Sequence, residues 1–163
     1  MRPVPETVLE IARRHRDVPG GLLPALHAVQ DTLGHVPDEA VPVLAQALNR
    51  SRAEVHGVLT YYHHFRRRPP GRVVVEICRA EACQACGAES LLAEAERILG
   101  CTRHDTRSDG AVTLEAVYCL GLCASSPAVR VDAQLHARVT PETLERLLAS
   151  SLDAAGAGGA PTP

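Results

Sequence analysis

Six cysteines in a chain of 163 residues are the side chains here with the clearest chemical potential. Four of them form two short pairs, Cys78-Arg79-Ala80-Glu81-Ala82-Cys83 and Cys119-Leu120-Gly121-Leu122-Cys123. Thiolates are soft ligands and select zinc or iron–sulfur centres. Structural zinc favours C-x2-C knuckles, whose tight turn aims two sulfurs at one ion. The C-x4-C and C-x3-C loops are longer and suit a two-iron centre, each iron taking two cysteines. Gly121 would let the backbone approach a sulfur without a Cβ clash.

Other assignments share the same residues. Cys78, Cys83 and Cys86 also read as C-x4-C-x2-C, a [2Fe–2S] spacing that needs a fourth ligand further on, here Cys101 or Cys119. That reading leaves Cys123 without a role. Cys83-Gln84-Ala85-Cys86 is also a possible redox dithiol. A zinc site that only stabilises a non-redox adaptor is the reading from another class. Cys101 and Cys86 read most simply as small buried hydrophobes. The eight histidines bring no His-x3-His pair to the cysteines, and the adjacent His63 and His64 point apart. There is no G-x-G-x-x-G after a strand and no G-x-x-x-x-G-K-[ST], so nucleotide binding by this chain is unsupported.

Composition bounds the alternatives. The formal net charge is −2, which predicts no nucleic-acid partner. The basic residues are all arginine. The start of the sequence has no apolar signal-like run, and no stretch reaches membrane-spanning length. A cytoplasmic location follows as the default. In that reducing compartment six cysteines argue for metal or redox chemistry rather than disulfides.

The elements that must position the thiols come in two groups. The first is helical. Val4, Val8, Ile11 and Ala12 share one side of a helix over 4–15, and Leu22, Leu26, Val29 and Leu33 form a second stripe. Gly34 stops that helix, and Asp38 is a plausible N-cap for a third. Ser51-Arg52-Ala53-Glu54 fits a capping box at the start of a fourth. Arg66-Arg67-Arg68-Pro69-Pro70-Gly71 then breaks the chain, its arginines solvated in a linker.

Beyond it, strand and helix alternate. Arg72–Ile77 is β-branched and nearly all apolar, as a strand buried on both faces would be, and it runs into Cys78. A helix over 88–99 follows. Ala111–Tyr118 alternates as a strand and runs into Cys119. Strands at 128–131 and 135–139 precede Thr140-Pro141, a strong helix start. Each cysteine pair therefore begins where a strand ends, which favours Cys78, Cys83, Cys119 and Cys123 as the working set. The predicted organisation is α+β: an N-terminal helical bundle over 1–68, an α/β domain with a small mixed sheet over 69–152, and a disordered tail over 153–163.

A helical region, then C-x4-C, then C-x3-C within Val117-Tyr118-Cys119-Leu120-Gly121-Leu122-Cys123-Ala124-Ser125-Ser126-Pro127 resembles the thioredoxin-like [2Fe–2S] ferredoxin family over residues 5 to 150. That family includes the small [2Fe–2S] subunit of respiratory complex I and subunits of NAD-reducing hydrogenases and formate dehydrogenases. Segments 57–65 and 78–84 look most like the gamma subunit of soluble, molybdenum-dependent NAD-dependent formate dehydrogenase. The resemblance implies a thioredoxin-like domain, with Cys78 and Cys83 on one iron and Cys119 and Cys123 on the other. Cys86 and Cys101 match no ligand position in it. It implies an electron-transfer subunit with no substrate site of its own. Its partners would be a flavoprotein subunit binding FMN and NAD, and a subunit carrying the molybdenum cofactor that oxidises formate. By the same analogy Pro127 is expected to be cis. Arg79, next to a ligand cysteine, either raises the reduction potential by partly offsetting the centre's negative charge or simply faces solvent.

Overall fold

The computed structural model describes residues 3–157. The chain divides into two compact units, and the division falls between Pro69 and Pro70, inside the Arg/Pro run.

The first unit is built from four helices: α1 (Val4–His15), α2 (Leu22–Leu33), α3 (Ala40–Ala47) and α4 (Arg52–Tyr61). Their apolar stripes meet in one core around Val8, Leu26, Val29, Leu44 and Val55, all fully buried. Each such side chain contributes about 1.5–3 kcal/mol when removed from water, so the stripes hold the helices together. Gly34 ends α2 in the left-handed conformation at φ +77°. The capping box at Ser51 forms in both directions, with Glu54 N–H to Ser51 Oγ at 3.1 Å and Ser51 N–H to Glu54 Oε2 at 2.8 Å. Asp38 does not cap α3. Its carboxylate instead takes two hydrogen bonds from Arg67, at 3.0 and 2.6 Å. Helix α3 begins at Ala40 with Glu39 at its N-cap, so Asp38 lies one residue too early to cap it. Gln30, buried at the end of α2, donates to the His64 carbonyl and accepts from Arg66 N–H, and so ties down the segment after α4.

The second unit is a mixed five-stranded sheet in the order β2-β3-β1-β4-β5. The strands are β1 (Val73–Cys78), β2 (Asp105–Thr106), β3 (Val112–Val117), β4 (Val129–Val131) and β5 (Gln134–His136), with helices α5 (Glu81–Ala85), α6 (Ala88–Leu99) and α7 (Pro141–Ala157). Central β1 runs parallel to β3 and antiparallel to β4. Val73, Val75 and Ile77 of β1 and Val112 and Leu114 of β3 share a core with Leu91, Leu92 and Leu99 of α6 and Leu144 and Leu148 of α7. Gly71 stands two residues ahead of β1, and a Cβ there would lie 2.6–2.8 Å from the Val112 backbone. Only glycine allows that approach.

Thr140 caps α7, accepting from Thr143 N–H at 3.3 Å. The expectation of a disordered tail from 153 needs correction, because α7 continues to Ala157. Alanine is the strongest helix former, and the Ala-rich composition read as a tail also sustains a helix. Residues 158–163 lie outside the described residues. No described helix is long and apolar enough to cross a membrane.

Candidate metal centre

Parallel pairing of β1 with β3 settles where the two cysteine loops emerge. Cys78 is in register with Val117, two residues before Cys119, so both strands deliver their loops to the same end of the sheet. Cys78 and Cys83 are buried, while Cys119 and Cys123 are exposed. Leu120 and Leu122, from the second loop, pack on a small cluster made by Cys78, Cys83, Ala88 and Ala128. The two loops are thus held together by apolar contact as well as by the sheet.

The first pair is knit by Ala128. Its carbonyl accepts from Cys78 N–H at 3.1 Å, and its side chain packs beside both sulfurs. Burial pushes the Cys78 thiol up, although the Ala80 and Leu120 N–H groups pull against it. Burial acts on Cys83 in the same sense. There the Ser126 hydroxyl, the Ala128 N–H and the Cys78 thiol prevail and bring it below its ordinary value. One thiol of the touching pair is therefore primed to ionise before the other, as two neighbouring acids must be.

The second pair is closed by its own loop. Cys119 Sγ and Cys123 Sγ are 3.7 Å apart. Gly121 N–H donates to Cys119 Sγ at 3.3 Å. Gly121 has φ +80°, and a Cβ there would meet nothing within 4 Å. Its left-handed turn is what brings the 121 N–H to the Cys119 sulfur. Cys119 itself sits at φ +132°, a strained conformation of the kind that collects at functional sites. Cys123 is raised first by the neighbouring Cys119 thiol, with Cys83 and Cys78 adding to the effect through space.

Ser126 joins the two loops. Its hydroxyl donates to the Cys123 carbonyl at 2.9 Å and stands 3.4 Å from Cys83 Sγ. The Ser126–Pro127 peptide is cis, as expected. Sequence reasoning missed Ser126, although it lies in the C-A-S-S-P run after Cys123. Among the described residues, no three His, Cys, Asp or Glu side chains gather as a single ion would require.

The two remaining cysteines part ways. Cys101 packs against the main core, and burial raises its thiol. Cys86 is exposed, which corrects its reading as a buried hydrophobe. It ends α5 and lines a recess with Ser90, Pro127 and Arg138. Histidines serve elsewhere: His104 pairs with Glu115 at 2.7 Å, and the rings of His27 and His64 stack at 5.1 Å.

A model of the thioredoxin-like [2Fe–2S] ferredoxin family matches residues 8–151. One subunit of an NADH-quinone oxidoreductase of Rhizobium meliloti is 34% identical over 145 residues, covering 89% of this chain and 86% of that protein. One subunit of the NADH-quinone oxidoreductase of Pseudomonas aeruginosa is 35% identical over 134 residues, covering 82% and 81%. Among solved structures, an NAD+-reducing [NiFe]-hydrogenase in the air-oxidized state superposes with a TM-score of 0.69 at 21% identity. That match covers 87% of this chain and 24% of the hydrogenase chain, so this chain spans about a quarter of its length.

Proposed function

Because the chain belongs to the thioredoxin-like [2Fe–2S] ferredoxin family, we propose that it is the electron-transfer subunit of an NAD-linked oxidoreductase complex, with Cys78, Cys83, Cys119 and Cys123 as its ligands. A [2Fe–2S] group held there supplies one-electron transfer and no bond-making chemistry. The observation that carries the ligand choice is the pairing of these thiols at one end of the sheet. Four thiols in two close pairs fit a centre in which each iron takes two sulfurs.

The chain's own residues would serve that centre in three ways. The Gly121 N–H donates to the Cys119 sulfur, and the Ala80, Leu120 and Ala128 N–H groups favour the thiolate form of the first pair. Such donors stabilise charge on thiolate and raise the potential. Leu120 and Leu122 exclude water from the inner pair. Cys119 and Cys123 lie at the exposed side, where an electron would enter or leave. The partner would be a flavoprotein subunit holding FMN and NAD, since hydride chemistry belongs to those cofactors.

Segments 57–65 and 78–84 support a complex that converts formate and NAD+ to CO2 and NADH, with the molybdenum cofactor in a further subunit. The likeness to subunits of NADH-quinone oxidoreductases supports the second reading, a quinone-reducing or hydrogen-oxidising complex of the same kind.

Metal analysis tests the centre: two irons and two acid-labile sulfides per chain are expected, and one zinc would replace this reading with the adaptor. The large subunit that co-purifies decides the complex. A molybdenum subunit with formate-dependent NADH production supports the formate reading, and a nickel–iron or quinone-reducing partner overturns it.

A further inference from the structure

Arg79 directly follows Cys78, and its side chain is only 18% exposed. It is held from several sides. Its backbone N–H donates to the Val117 carbonyl at 2.7 Å, and its own carbonyl accepts from the Gln84 side chain at 3.0 Å. Its guanidinium meets Glu89 twice, with Nε and a terminal nitrogen both 2.7 Å from Oε1. The backbone of the arginine thus ties the start of the first cysteine loop to Val117, the last residue of β3 before the second loop. Glu89 comes from a different element, the first turn of α6.

A lone cation beside Cys78 would offset the charge of the thiolates and favour the reduced centre. An ion pair acts differently. A single charge is felt as 1/r, whereas two opposite charges 2.7 Å apart form a dipole whose influence fades faster with distance. The expectation that Arg79 raises the potential therefore treats half of a pair as the whole.

We propose that Glu89 is a positioning and charge-balancing residue, which fixes Arg79 between the two cysteine loops and holds the centre's reduction potential below the value that Arg79 alone would impose. This rests on the ligand assignment above. With Glu89 neutral, Arg79 faces the centre unbalanced. With Arg79 neutral, Glu89 does so with the opposite sign. With both neutral, the balance returns.

Redox titration of the full chain, loaded with its centre and followed by EPR and visible absorption, tests this. Glu89→Gln is expected to raise the one-electron equilibrium constant about fivefold, or about 40 mV at 59 mV per tenfold. Glu89→Lys moves it further in the same direction. Arg79→Gln lowers it by a similar factor, and the double variant R79Q/E89Q returns close to wild type. Both single shifts shrink at high salt, because Glu89 is half exposed. Glu89 variants that titrate with wild type while keeping two irons and the wild-type spectrum would overturn the proposal. So would a double variant that follows R79Q. A wild-type chain that holds no two-iron centre fails the ligand reading instead, and metal content separates the two failures.

Discussion

Cys119 Sγ and Cys123 Sγ stand 3.7 Å apart across a turn made by Gly121, whereas Cys86 is exposed at the end of α5. The two kinds of cysteine should respond differently to substitution. Cys119→Ser should disturb the EPR signal and visible absorption of the centre, and Cys86→Ser should leave both nearly intact. Loss of the centre in the Cys86 variant would overturn the ligand choice.

Two glycines separate backbone strain from steric clash. Gly121→Ala meets open space and bears only the cost of φ +80°, about 1 kcal/mol. Gly71→Ala drives a Cβ to 2.6–2.8 Å from the Val112 backbone, and should cost about 2–4 kcal/mol. Thermal unfolding should rank Gly71→Ala as the more damaging. Loss of visible absorption under a chelator should rank Gly121→Ala first, because relief of the φ +80° strain turns away the N–H that serves Cys119.

On the sheet, Glu76 of β1 is in register with Arg130 of β4, and the two are joined by two hydrogen bonds, one of 2.7 Å. The Glu76 side chain is 5% exposed and that of Arg130 is 38% exposed. Glu76 also stands in register with Glu115 of β3. Arg130→Ala takes its cationic partner from a buried carboxylate, at about 2–4 kcal/mol. Glu76→Ala leaves an arginine that water can reach, at about 1–2 kcal/mol. Urea unfolding midpoints should fall in that order, and the reverse order would refute this account of the pair.

The turn between β2 and β3 carries a pH dependence. Arg107 beside Asp109, helped by the Ala111 N–H, brings the Asp109 carboxyl from 3.8 to about 2. A depressed carboxyl adds stability that is complete above its unfolded value and is lost as pH falls through its folded one. At pH 7, Asp109→Asn should therefore melt below wild type. The gap should narrow between about pH 4 and pH 2. A gap that stays constant across that window would show that the charge plays no part.

Much of this is legible in the sequence because it is local. The stripe Leu22, Leu26, Val29 and Leu33 needs only the helical period. The Ser51–Glu54 box and the Thr140 cap need only a few neighbouring residues. The strand endings at Cys78 and Cys119 mark themselves by β-branched runs. What escapes depends on partners distant in the chain or on elements too short for a period. Helix α5 has five residues, and β2 has two. Asp38 reads as a cap, but the N-cap falls one residue later, on Glu39, and Arg67, 29 positions away, takes the Asp38 carboxylate. Arg79 reads as an isolated charge because Glu89 belongs to the following helix. Ser126 shows its role only once the fold brings the Cys83 sulfur beside it.

Ala128 holds the Cys78 N–H with its carbonyl and packs against both members of the first cysteine pair, and it lies just ahead of β4. Synthesis therefore imposes an order of events. Cys78 and Cys83 leave the ribosome long before residue 128, and until then they lack the groups that bury and orient their sulfurs. Iron and sulfide delivered early would meet a flexible peptide with two thiols and no shelter. With the ligands proposed above, the receptive state is the nearly finished chain, and a fragment ending before Ala128 is expected to be a poor acceptor of iron and sulfide.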